Sequence, residues 1–164
     1  MNALLKSPMP EARPKNPLRA RKKIMLVDDD SAIRQMLARL LTGEGYDVLL
    51  AVNGREAIQV VRAAEIDLVL LDLNMPGMDG WETYEKLATE DPLLPIVVIT
   101  ARPNQSFTAL AAGIGALLEK PLDLPKLFLT IHGLLEEPDE VRLARVAGRP
   151  SEFHYVPPNA AGLG

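Results

Sequence analysis

Apolar positions along this chain follow two alternating rhythms. Ile24 to Val27 is a short unbroken apolar run. Ile33, Met36, Leu37, Leu40 and Leu41 then recur at the three-and-four spacing of one helix face, with Asp30 or Ser31 placed to cap it and Gly43 near its end. Tyr46 to Val52 repeats the strand pattern, and Asn53 with Glu56 three residues on predicts a helix burying Ala57, Ile58, Val61 and Ala64. Ile66 to Leu71 runs into Asp72, the turn-rich NMPGMDG follows, and Trp81, Tyr84, Leu87 and Ala88 share the face of a third helix. Pro95 introduces Ile96 to Ile99, which ends in Thr100, and a weaker helix around 106–112 leads to Ala116 to Glu119, ending in Lys120 and Pro121. A last helix turns Leu124, Leu127, Phe128, Ile131, Leu134 and Leu135 inward.

Strands that are apolar along their whole length are buried on both faces. The pattern therefore predicts an α/β fold, a doubly wound parallel sheet with right-handed crossovers and helices on each side. In such open sheets ligands bind beyond the carboxyl ends of the strands. The first strand ends in Asp28 and Asp29, the third in Asp72, the fourth in Thr100 and the fifth in Lys120, so three carboxylates, a hydroxyl and an ammonium converge on one edge.

Two carboxylates about 4 Å apart repel by roughly 4 kcal/mol at an effective dielectric near 20, so a cation must come to this cluster. Hard oxygen donors without histidine or cysteine select magnesium, which takes one or two carboxylates and keeps room for phosphate oxygens. Asp72 then becomes a candidate nucleophile, forming an aspartyl phosphate. The metal, Lys120 and the Thr100 hydroxyl would stabilise charge on the transferring group.

At LVDDD, LLDLNMPGMDG, VVITA and LLEKP, in this order and over roughly residues 22 to 137, the sequence resembles the receiver domain of two-component response regulators. The resemblance implies a flavodoxin-like (βα)5 fold with strand order 2-1-3-4-5. It implies Asp72 as phosphoacceptor, Asp29, Asp72 and the Asn74 carbonyl as direct Mg2+ ligands, Asp28 as a ligand through water, and Thr100 and Lys120 as contacts to the phosphoryl group. It also implies a cis peptide between Lys120 and Pro121. The phosphoryl donor would be a sensor histidine kinase or a histidine phosphotransfer protein. The family usually carries an aromatic residue where Leu117 stands, so output is expected to rely on the segment after Thr100, including Arg102 and Pro103.

Two rivals stay open at this point. A magnesium-dependent phosphohydrolase of the haloacid dehalogenase type would need an acid two residues after its nucleophile, where this chain has Asn74. A receiver-like module that works without phosphorylation would be free to lose acids that are present here. No GxxxxGK[ST] motif exists, which disfavours a nucleotide switch.

Composition narrows the rest. The chain of 164 residues has no cysteine, which excludes disulfides, thiolate metal sites and thiol nucleophiles. The N-terminus has no apolar run of signal-peptide length and no stretch elsewhere approaches the length of a membrane span, making a cytoplasmic protein without membrane partners the expectation. Net charge is −4, yet residues 1–23 carry seven basic residues against Glu11 alone, so the remainder is strongly acidic and poorly suited to wrap nucleic acid. The expected organisation is a basic, proline-containing and solvated extension over 1–22, a receiver domain over 23–137, and a mostly flexible extension over 138–164. DEVRLARVAGR within the last could form a helical turn or two. Those residues are too few for a helix-turn-helix or winged-helix effector, so no DNA-binding domain is expected and output should pass by contact with an unidentified downstream protein. His132 and His154, far apart in sequence, read as ordinary helix and tail histidines rather than ligands.

Overall fold

A computed structural model of the chain describes residues 15–16, 18, 20–75, 79–102, 104–105, 108–109, 112–149 and 153–159. Strands β1 (Lys23–Val27), β2 (Asp47–Ala51), β3 (Leu68–Asp72), β4 (Ile96–Thr100) and β5 (Ala116–Glu119) alternate with helices α1 (Ser31–Gly43), α2 (Gly54–Ala63), α3 (Gly80–Glu90) and α4 (Leu124–Leu135). Helical turns at Thr108, Ala109 and Ala112 join β4 to β5. The strands lie parallel in the expected order 2-1-3-4-5.

Side chains on successive strand residues point to opposite faces. Met25, Val27, Val69, Leu71, Val98 and Leu117 face a layer built from α2, α3 and Ala109; Ile24, Leu26, Leu70, Val97, Ile99 and Leu118 face α1 and α4. The sheet is thus doubly wound, and its central strands β3 and β4 are buried at every position. Asp30 caps α1, accepting from the Ala32 and Ile33 amides, and Asn53 caps α2, accepting from the Glu56 amide at 2.8 Å. On α3 the fully buried residues are Gly80, Thr83 and Leu87, whereas Trp81 and Tyr84 are half-buried, their rings meeting edge to face. Thr83 tolerates burial because its hydroxyl donates to the Asp79 carbonyl.

Part of the C-terminal extension forms regular structure. Residues Asp139–Val146 form helix α5, and His154–Val156 form a sixth strand, β6, parallel to β5 and extending the sheet to 2-1-3-4-5-6. Two features bring the segment down onto the domain. Arg145 and Glu137 form an ion pair with both side chains 7% exposed, and Val156 and Phe153 pack against opposite core layers. The Arg145 guanidinium passes over Gly115, where a Cβ would stand 3.1 Å from Nη1. At the other end, Lys15 pairs with the buried Asp67 at 3.7 Å and the Asn16 amide donates to Glu65, so the described part of the basic extension lies against the amino ends of the strands. The rest of that extension, with Pro103 and Ser106, lies outside the described residues.

Candidate functional site

The strand order fixes who meets whom at the carboxyl edge. β1 and β4 flank β3, so Asp28 and Asp29, just past β1, stand on one side of Asp72, and Thr100 stands on the other. Lys120 follows β5 one strand further out, and its long stem lets the ammonium reach across β4. Its Nζ lies 3.2 Å from Asp72 Oδ2 and 3.9 Å from Asp28 Oδ2. The Lys120–Pro121 peptide is cis.

Each acid is held by the backbone around it. The Asp28 amide donates to the Ala51 carbonyl, Asp28 Oδ1 accepts from the Asp30 amide at 2.9 Å, and its carbonyl accepts from Arg34 Nη1 at 2.8 Å. Asp30 turns back to cap α1, and Asp29, unlike the buried Asp28 and Asp72, is exposed. Asp72 Oδ1 accepts from the Asn74 amide at 2.9 Å, leaving Oδ2 to Lys120. The fully buried Thr100 accepts through Oγ1 from the Arg102 amide, and its hydroxyl proton remains available for donation. Arg102 Nη2 approaches the Leu73 carbonyl at 3.5 Å.

Carboxylate oxygens of Asp28, Asp29 and Asp72 lie within 4.8 Å of one another. One ammonium faces three carboxylates, and the imbalance shows in Asp28. Burial, with the Asp72 charge adding to it, pushes its carboxyl up to about 6, against the opposing pull of the Asp30 amide and of Lys120. A hard divalent cation fits this donor set in charge and in ligand chemistry. A hollow of about 280 Å³ at the other end of the sheet, lined by Lys15, Arg62, Glu65 and Asp91 among others, shares no residue with this cluster.

All the residues expected at the site converge on this edge. Sequence reasoning missed Arg34, whose distance of six residues from Asp28 places it on the first turns of α1 facing the loop it braces. Gly80 was also missed: a Cβ there would stand 2.5 Å from Leu73 Cα, so only glycine lets α3 start against the residue following Asp72.

A doubly wound sheet with paired acids after β1, an acid ending β3, a hydroxyl ending β4 and a lysine after β5 is the arrangement expected of a phosphoacceptor domain. The family model for the response regulator receiver domain matches residues 24–132, and the chain belongs to that family. It is 40% identical over 122 residues to response regulator MprA of Mycolicibacterium vanbaalenii, an alignment covering 72% of this chain and 53% of MprA. It is 44% identical over 114 residues to the transcriptional regulatory protein ZraR of Klebsiella oxytoca, covering 68% of this chain and 26% of ZraR. The chain thus spans about half or less of these relatives. Among solved structures, a CheY-like receiver domain protein from Methanospirillum hungatei superposes with TM-score 0.68 at 32% identity, covering 74% of this chain and 98% of that one. TrrA of Thermotoga maritima, solved with Mg2+ and BeF, gives TM-score 0.63 at 30% identity over 69% of this chain and 98% of TrrA. The domain is a receiver, the phosphoacceptor switch of two-component signalling, and the family holds Mg2+ at the acidic pocket that Asp28, Asp29 and Asp72 form here. Among the described residues no helix is long and apolar enough to cross a membrane.

Proposed function

We propose that Asp72 is the phosphoacceptor, that it takes its phosphoryl group from a histidine kinase or phosphotransfer protein, and that the modified chain signals to a downstream protein by changing the surface it presents. The single observation that carries the reading is the Lys120 ammonium 3.2 Å from Asp72 Oδ2 beside two further acids. In the reaction an Asp72 carboxylate oxygen attacks phosphorus, the bond from phosphorus to the donor breaks, and the donor leaves with the electron pair. Lys120 draws off charge developing on the equatorial oxygens, and the Thr100 hydroxyl donates to one of them. Asp29, Asp72 and the Asn74 carbonyl would hold Mg2+ directly, with Asp28 acting through water. When bound, the ion neutralises the carboxylate crowd and the incoming phosphoryl oxygens. The Asp28 and Arg34 contacts orient the β1–α1 loop for that purpose. The chain's own catalysis serves only its own modification and its reversal.

Asn74 in place of an acid argues against a phosphohydrolase, because a neutral amide cannot protonate a leaving group. Leu117 is fully buried in the α2–α3 layer, which supports output through the segment after Thr100. Incubation with acetyl phosphate and Mg2+ should add one phosphoryl mass to a peptide containing Asp72. Labelling of Asp72→Asn at the wild-type rate, or labelling unchanged by a chelator, would sink the assignment.

A further inference from the structure

Strand β6 reaches the site from an unexpected direction. The Tyr155 hydroxyl donates to Glu119 Oε1 at 2.7 Å, and the Asn159 amide donates to the Pro121 carbonyl at 2.9 Å. Glu119 and Pro121 are the two neighbours of Lys120. The ladder runs Ala116 to His154, Leu117 to Tyr155 and Leu118 to Val156; Pro157 and Pro158 then follow before Asn159 makes its separate bond. Lys120 itself is tied to the opposite neighbour, its amide donating to the Thr100 carbonyl at 2.8 Å. The segment 119–121 is thus clamped between β4 and β6.

We propose that Tyr155 and Asn159 are positioning residues for Lys120, and that docking of β6 and phosphoryl occupancy of Asp72 are thermodynamically linked. In the unmodified protein the ammonium is shared between Asp72 and Asp28. A phosphoryl group on Asp72 offers it more strongly anionic oxygens, which pins the segment that β6 grips. Linkage is reciprocal: whatever steadies Lys120 tightens β6, and a docked β6 favours the modified state. The inference rests on Asp72 being the phosphoacceptor.

The test uses the full chain. Backbone amide exchange is followed with and without Mg2+ and beryllofluoride, while acetyl phosphate labelling of Asp72 is followed by mass. With the mimic bound, the Asn159 amide should exchange about fivefold more slowly, and the His154 amide, which bonds Gly115 at the far end of the strand, should change less. Tyr155→Phe, and separately Asn159→Pro, which deletes the donating amide, should each slow labelling at saturating donor by about threefold to tenfold, the range for losing one modest hydrogen bond. Mg2+ affinity should be unchanged in both, an outcome that general loosening of the fold would not produce. If Asp72 takes up no label, the phosphoacceptor reading itself has failed. If Asp72 is labelled normally in both variants, or the Asn159 amide is unaffected at full occupancy, that reading survives and the linkage is overturned.

Discussion

The Lys120 ammonium contacts two buried carboxylates at once, lying 3.2 Å from Asp72 Oδ2 and 3.9 Å from Asp28 Oδ2. One positive charge is shared between two acids, of which Asp28 has its carboxyl pushed up to about 6 by burial, with the neighbouring Asp72 charge adding to it. Without Lys120, the bonds to the Asp28 and Asp72 carboxylates among the described residues would be those from the Asp30 and Asn74 amides.

Lys120→Ala should therefore lower the stability of the metal-free protein by about 3 kcal/mol, the lower end for breaking a buried pair. It should also slow acetyl phosphate labelling roughly a hundredfold, as loss of a donor to developing charge does. Denaturant unfolding and labelling kinetics check the two effects separately. A variant as stable and as reactive as the wild type would show that Lys120 is a bystander.

Asp28 ties stability to pH. Its folded-state value near 6 lies above the ordinary carboxylate value, so the folded protein holds this proton more tightly than the unfolded chain. The resulting stabilisation is fully present below about 3.9 and is lost as pH rises through about 6. Metal-free protein should lose part of its stability over that window. Added Mg2+ competes for the ionised form and should raise the melting temperature more at pH 7.5 than at pH 5. Equal rises at the two pH values would contradict the assignment.

Gly80 and Gly133 should respond oppositely to alanine. At Gly80 the new Cβ would press on Leu73 Cα at 2.5 Å, and relief requires moving the main chain beside Asp72. Gly80→Ala should cost about 1–3 kcal/mol, in the range of core overpacking, and should slow labelling. Gly133 lies inside α4 with nothing within 4 Å, so Gly133→Ala should stabilise by about 0.5–1 kcal/mol through helix propensity alone. Thermal melts of the two variants read the contrast.

Arg145 holds the C-terminal extension. Its partner Glu137 is 7% exposed, with Oε1 buried and otherwise unbonded, so Arg145→Ala leaves an uncompensated buried carboxylate. The expected loss is about 3–5 kcal/mol, and replacing both residues by leucine should recover most of it. Faster exchange of the His154 amide in the single variant would report β6 leaving the sheet. A double variant no better than the single one would show that packing around Arg145, not the charge left behind, governs the loss.

Most of the site was legible in the chain because the relevant residues sit at strand ends. Unbroken apolar runs and period-3.6 patterns locate those ends, and a parallel sheet sends every carboxyl end to the same side, so Asp28, Asp29, Asp72, Thr100 and Lys120 could be grouped without coordinates. The caps at Asp30 and Asn53 were readable for a similar reason, since a cap's partner lies two or three residues away. Tyr155 and Arg145 were opaque. HYV between masking prolines is too short to show a period, and a lone arginine in an amphipathic turn looks like any solvated one.

What the sequence by itself determined is therefore the order of the elements, the faces they bury and the chemistry collected at one edge, because these follow from backbone periodicity and from side-chain types at neighbouring positions. Only the tertiary structure decided that Lys120 is shared between Asp28 and Asp72, that Gly80 must stay bare against Leu73, and that residues 154–156 complete the sheet beside β5. Each of these depends on the distance between residues far apart in the chain, and that distance is set by how the packed layers settle against one another, which no local pattern encodes.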